Sequence, residues 1–246
     1  MNDYYVYRNE EGAAVRTETD LSLIDTVPDN RRPWLVWVFV KIKSPDANGW
    51  CIGQECEQLL KLRSSMQKML GAEIDAVFAG ERMQDGWVEL FFYAPAAKKF
   101  QSSAASVMKD YEGYAFDTGS SRDAKWEHYQ LELYPDAVML QQIESRFIIS
   151  ELEEAGDDIT AEREVEHYLF FQTEANAERF AQKMAEKGFA LKEKVVQENA
   201  EHAHGVVLVK THAVTEEVLM AQTSELFDEA YREHGTYEGW STVLAS

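Results

Sequence analysis

The chain has 246 residues, 45% of them apolar, and sets 44 acidic against 24 basic side chains for a formal net charge of −20. That is enough for one large domain or for two of about 100–150 residues each. The charge argues against a phosphate-binding surface of clustered Lys and Arg, so neither direct nucleic-acid binding nor attachment to an anionic membrane is expected, and a basic protein partner is favoured.

The opening segment, MNDYYVYRNEEG, has no basic region leading into an apolar run, so no secretory leader is expected. The apolar run 34–40 is too short to span a bilayer, and a cytoplasmic location is expected. A hairpin is predicted around Gly12. Residues 34–43 (WLVWVFVKIK) read as a strand. Residues 54–70 read as a helix, with Leu59, Leu62, Met66 and Leu70 on one face and Gly71 just past its end. Residues 73–82 and 86–94 read as two strands joined by a turn at Asp85-Gly86. Pro95 is expected to start a second helix with Ala97, Phe100, Ala104 and Val107 as its buried stripe. Residues 126–134 (WEHYQLELY) alternate in character and read as the closing strand. The order is β-α-β-β-α-β.

Tyr134-Pro135-Asp136 is the best candidate linker, dividing the chain into residues 1–135 and 136–246. Residues 1–136 carry 15 basic and 22 acidic side chains, and the remainder 9 and 22, so the second half is the more acidic. Residues 138–155 read as a helix with Leu140, Ile143, Phe147, Leu152 and Ala155 along one side. A strand at 163–172 follows, then a helix at 174–187 capped by Thr173 and stopped by Gly188. Strands at 189–198 and 205–213 flank a polar turn at 201–204. A helix at 216–234 begins with Glu216 and Glu217, where the helix dipole favours anions. Gly235 ends it, and a short extended segment closes the chain. The expected class is α+β: two tandem ferredoxin-like units, each an antiparallel sheet with its helices on one face.

Motifs for chemistry are scarce. The spacing of Cys51 and Cys56 fits no common zinc or redox pattern, and two free thiols are expected. His204 and His212 share a strand face about 27 Å apart, too far to hold one ion, so the histidines read as solvated. There is no G-x-S-x-G and no phosphate loop. Neither catalysis nor a cofactor is expected, and a site in a cleft between the units is the weakest alternative. Binding is the stronger theme. On the strand at 163–172, alternation puts Tyr168 and Phe170 beside Glu164 and Glu166 on one face, and Val165, His167, Leu169 and Phe171 on the other. Acids beside aromatics suit a protein partner better than RNA, and the remaining reading is that the N-terminal unit covers this face. The run holding Glu153, Glu154, Asp157 and Asp158 sits at a helix C-terminus, where the dipole disfavours acids. Amide replacements there are therefore expected to stabilise the fold slightly and to weaken a complex. In the terminal Tyr237-Glu238-Gly239-Trp240, the Trp either packs over the last helix or touches a partner.

The segments "IISELEEAGDD", "EVEHYLFF" and "YEGWST" together resemble the bacterial family called regulator of ribonuclease E activity B, over about residues 138–246. The family pattern Asp-Gly-Trp-Gly-Thr is met here by Glu238-Gly239-Trp240-Ser241-Thr242, with Ser241 in place of a Gly. Residues 34–70, with their Trp/Val strand, Asn48-Gly49 turn and Leu-rich helix, resemble a bacterial domain family of unknown function sometimes fused to that regulator. The resemblance implies a non-enzymatic protein that binds a ribonuclease E-type endonuclease and alters RNA turnover by protein contact. The alternative is a two-domain adaptor for another basic protein. Expected partner-binding residues are Glu153, Glu154, Asp157, Asp158, Tyr168, Phe170, Tyr237, Glu238 and Trp240.

Overall fold

The computed structural model describes residues 4–198 and 200–245; the first three residues of the segment read for a leader lie outside them. The chain falls into two compact units, one running to Met139 and the other from Leu140. Each is α+β with an antiparallel sheet.

The N-terminal unit contains β1 (Tyr4–Arg8), β2 (Ala14–Thr19), β3 (Trp34–Lys41), α1 (Gln54–Ile74), β4 (Val77–Gln84), β5 (Trp87–Ala94), α2 (Phe100–Met108) and β6 (Phe116–Arg122). Its sheet order is β1-β2-β4-β5-β3-β6. Omitting the β1–β2 hairpin, which turns at Gly12 (φ 81°), this is the ferredoxin-like order. The apolar run of β3 is central and covered on both faces. Val36, Val38 and Val40 pack with Leu59, Leu62, Met66 and Leu70 of α1 and with Phe100, Ala104 and Val107 of α2. Leu35 packs on the opposite side with Phe91, Tyr93, Trp126, Tyr129 and Leu133.

Three expectations for this unit are corrected. Residues 126–134 are not a strand. They fold back over the second sheet face, ending in a π-helical turn at Tyr129–Leu133. Trp126 stacks on Tyr93 at 3.7 Å between centroids, and Asp123 accepts from Tyr93 Oη and from the amides of Glu127 and His128. The closing strand is instead the polar β6, whose Gly119 lets the Trp37 ring lie across it; a Cβ there would sit 2.2 Å from that ring. Helix α2 starts after Pro95, at Phe100, because Lys99 takes a left-handed φ of 70°. Helix α1 runs through Gly71 and ends where Asp75 turns left-handed and its amide donates to Leu70 O.

The C-terminal unit contains α3 (Ala137–Glu154), β7 (Arg163–Phe171), α4 (Glu174–Ala185), β8 (Ala190–Val196), β9 (His204–His212), α5 (Glu216–Arg232) and β10 (Gly235–Thr242). Its sheet order, β10-β7-β9-β8, is again ferredoxin-like. Thr173 caps α4 by accepting from the Asn176 amide. Leu169, Phe171, Val206 and Leu208 pack against Phe180 and Met184 of α4 and Leu226 of α5. The buried side of α3 is rotated from the expected stripe. Gln141, Ile143, Ser145, Arg146 and Ile149 face inward, while Phe147 is 47% exposed and Ala155 is exposed.

Candidate docking face of the C-terminal unit

Alternation along β7 decides which side chains leave the core. Arg163, Val165, His167, Leu169 and Phe171 are buried, and Glu164, Glu166, Tyr168 and Phe170 point to the other face. β10 contributes to that face through a bulge between Tyr237 and Gly239, with Gly239 at φ 126°. Without the bulge, residues three apart would point to opposite faces. With it, Tyr237 and Trp240 both turn into the core, and Glu238 and Ser241 turn outward.

Tyr168, Phe170, Thr236 and Glu238 therefore meet on one surface. They line an open depression of about 540 Å³ with Gln197, Ala200, Glu201 and His202. Phe170 lies across Gly205, where a Cβ would be 2.6 Å from the ring. Tyr168 Oη is 2.8 Å from Ser241 Oγ and donates to Glu166 Oε2 at 3.1 Å. The hydroxyl of Ser241 thus gives the ring a second anchor, beside Glu166, that a glycine at this position would lack. Lys192 donates to Glu166 and holds its carboxyl below the usual range. Glu238 accepts from Thr236 Oγ1 at 2.9 Å and stays exposed. Two half-buried rings beside exposed carboxylates can receive a basic side chain, through ring-face attraction and charge together.

The other expected site residues lie elsewhere. Tyr237 is buried at 7% exposure, and its hydroxyl lies 2.8 Å from His167 Nδ1. Trp240 is buried at 5% and donates from Nε1 to Ser145 Oγ at 3.0 Å. Both are packing residues, so the expectation that their rings meet a partner directly is corrected. Asp157 is corrected as well. Its side chain is 0% exposed and ion-pairs with Arg163 at 2.7 Å, and it accepts from the Ala245 amide. Arg163 also donates to Val243 O and Asp158 O, so this pair fastens the end of the chain to β7. Asp158 is exposed and accepts from the Thr160 amide and hydroxyl. Glu153 and Glu154 are exposed on the last turn of α3 and do not line the depression.

Sequence reasoning missed a buried chain of polar rings. His212 Nδ1 lies 2.7 Å from Ala213 O, a carbonyl that can only accept, so that nitrogen carries the proton. His212 Nε2 is then an acceptor for His167 Nε2–H at 3.4 Å, which leaves His167 Nδ1 to accept from Tyr237 Oη. Burial, with His212 and Lys210 adding repulsion, pushes His167 down to about 3. Burial lowers His212 too. The expected solvated histidines are thus corrected for His212, and the signal was available: His167 and His212 alternate in phase with the apolar residues of their strands. The cysteines are corrected also, since Cys51 and Cys56 form a disulfide.

Among the described residues, no group of three or more His, Cys, Asp or Glu side chains is placed to hold a metal ion, and no helix is long and apolar enough to cross a membrane. No curated protein matches the chain. Among solved structures, it is similar to an unknown protein from Galdieria sulphuraria, at 12% identity over 86% of this chain and 99% of that one, with a TM-score of 0.24. It is also similar to a putative glycine cleavage system transcriptional repressor, at 8% identity over 85% and 98%, with a TM-score of 0.25. At such TM-scores neither likeness carries an argument. The family models are informative: residues 3–134 match a family of unknown function (DUF695), and residues 142–242 match Regulator of ribonuclease activity B. The chain therefore belongs to the DUF695 family through its larger part, and C-terminal to it residues 142–242 are similar to the family described as Regulator of ribonuclease activity B.

Proposed function

We propose that this protein is a protein-binding regulator of a ribonuclease E-type endonuclease, acting through the open face of its C-terminal sheet. The observation that carries this reading is the depression around Tyr168, Phe170 and Glu238, an aromatic and acidic surface within a domain of a ribonuclease-regulating family. A basic segment of the nuclease would seat there, with Phe170 and Tyr168 against its side chains and Glu238 and Glu201 opposite its charges. Occupied in this way, that segment is no longer free for RNA, and cleavage slows without any chemistry by the regulator.

The excess of acidic residues supports electrostatic steering, so association should slow as salt screens the charges. The test is binding of the purified protein to the ribonuclease E homologue of its own organism, at low and physiological salt, with cleavage of a model RNA followed in parallel. Binding that weakens with salt and slows cleavage supports the proposal. No binding at either salt refutes it.

A further inference from the structure

The disulfide joins Cys51, in the loop before α1, to Cys56, in its first turn, with Cα atoms 5.2 Å apart. That distance lies within the span such a bridge accepts. The bridge closes a sequence separation of only 5. A loop so short restrains little of the unfolded chain, so stability is not its main contribution.

The two sulfurs stand in different surroundings. Cys51 is buried at 8% exposure within the core between sheet and helices, its Sγ 4.0 Å from Met83 Sδ. Cys56 is only partly buried. It lies in the first turn of a 21-residue helix, where the dipole favours a thiolate and the flanking Glu55 and Glu57 oppose one. The apolar setting of Cys51 favours the neutral thiol. One sulfur is thus reachable, and the other is withdrawn beside it.

We propose that Cys51–Cys56 is a reversible thiol-exchange site for small-molecule thiols such as glutathione, with Cys56 the exchanging sulfur and Cys51 the resolving one. In reduction, the incoming thiolate bonds to Cys56 Sγ as the bond to Cys51 breaks, and Cys51 leaves and takes a proton from water. A second small thiol then attacks the mixed disulfide at the small molecule's sulfur and releases Cys56 as thiolate. The two small thiols lose two electrons and leave joined as their disulfide, and the protein gains those electrons as a dithiol. Oxidation by glutathione disulfide runs the same steps backwards. The fold has a reason to survive both states: Glu55 accepts from the amides of Lys43 and Ser44 at 2.7 and 3.1 Å, which anchors the start of α1 independently of the bridge.

The test locates the exchanging sulfur by mass spectrometry, with far-UV circular dichroism confirming the fold. Cys51→Ser treated with glutathione disulfide should take up one glutathione on Cys56. Cys56→Ser should react at least about tenfold more slowly at Cys51. The unsubstituted protein should pass through intermediate mixtures of bridge and dithiol as the ratio of glutathione to its disulfide is varied, with its secondary structure unchanged. A bridge that persists in millimolar reduced glutathione while the protein stays folded overturns the proposal. So does a bridge that never forms under glutathione disulfide, or a Cys56→Ser variant that reacts as fast as Cys51→Ser.

Discussion

The two sheets have the same strand order at their centres and opposite fates at their second faces. In the N-terminal unit, residues 123–134 return over β3 and β5, and Trp126, Tyr129 and Leu133 close that face. In the C-terminal unit, the corresponding face keeps Tyr168 and Phe170 half-buried beside exposed Glu164 and Glu238. A ferredoxin-like sheet covers one face with its own helices. What happens to the other decides whether the unit is a scaffold or a docking surface.

The largest expected effects follow from burial. Trp126→Ala removes a stacked, enclosed indole and should cost the N-terminal unit about 3–5 kcal/mol. Phe170→Ala on the open face should cost about 1 kcal/mol, since much of that ring is already wet. Denaturant-dependent hydrogen exchange, read separately for the two units, measures both, and equal losses would erase the distinction between a covered and an open face. Asp157→Asn should cost the C-terminal unit a similar 3–5 kcal/mol by stranding Arg163. Glu153→Gln and Glu154→Gln, nearby in sequence but exposed, should change stability by less than about 0.5 kcal/mol.

The units also hold buried titrating groups whose contributions to stability differ in sign. In the N-terminal unit, burial pushes Glu81 up from 4.5 to about 7, despite Arg63 and Arg16 nearby and with Glu18 adding to the rise. Between those values Glu81 holds a proton in the folded unit that the unfolded chain has released, so its contribution to stability falls as pH rises, by up to about 1.4 kcal/mol per pH unit, while His128, lowered by burial, pulls the other way. In the C-terminal unit, His167 is lowered from 6.5 to about 3, so the unfolded chain binds the extra proton and stability falls as pH drops through that window. Opening free energies from exchange at pH 5 and pH 6.5, corrected for the intrinsic exchange rates, should therefore rise with pH in the C-terminal unit, and Glu81→Gln should make those of the N-terminal unit rise more steeply with pH than in the unsubstituted chain. In the same network, Tyr237→Phe should cost about 1–3 kcal/mol by leaving His167 Nδ1 without its donor.

Much of this contrast was legible before any coordinates. The α1 stripe of Leu59, Leu62, Met66 and Leu70 follows from period alone, and so do the two faces of β7. The failures share a cause. WEHYQLELY alternates like a strand, yet Trp126, Tyr129 and Leu133 are needed as a cover for a sheet that already has its strands. FDTGSSR lacks strand character because Trp37, a residue from the neighbouring strand, supplies the ring that Gly119 cannot. Asp157 reads as one acid in a run of acids, and only the return of the chain end to Arg163 marks it as structural. Tyr237 and Trp240 share a face only because of the bulge at Glu238, and a bulge has no reliable periodic signature. Local pattern located most of the elements. Contacts made across long stretches of sequence decided which residues remain available to a partner.

The most direct test of the account is the affinity of the ribonuclease E homologue for four proteins at low and physiological salt: the unsubstituted chain, Phe170→Ala, Glu238→Gln, and the pair Glu153→Gln/Glu154→Gln. The open-face account predicts about tenfold or greater weakening for Phe170→Ala. It predicts a shallower salt dependence for Glu238→Gln and little change for the α3 pair. Full affinity in both open-face variants, with loss confined to the α3 pair, would contradict it and move the docking surface to the end of that helix.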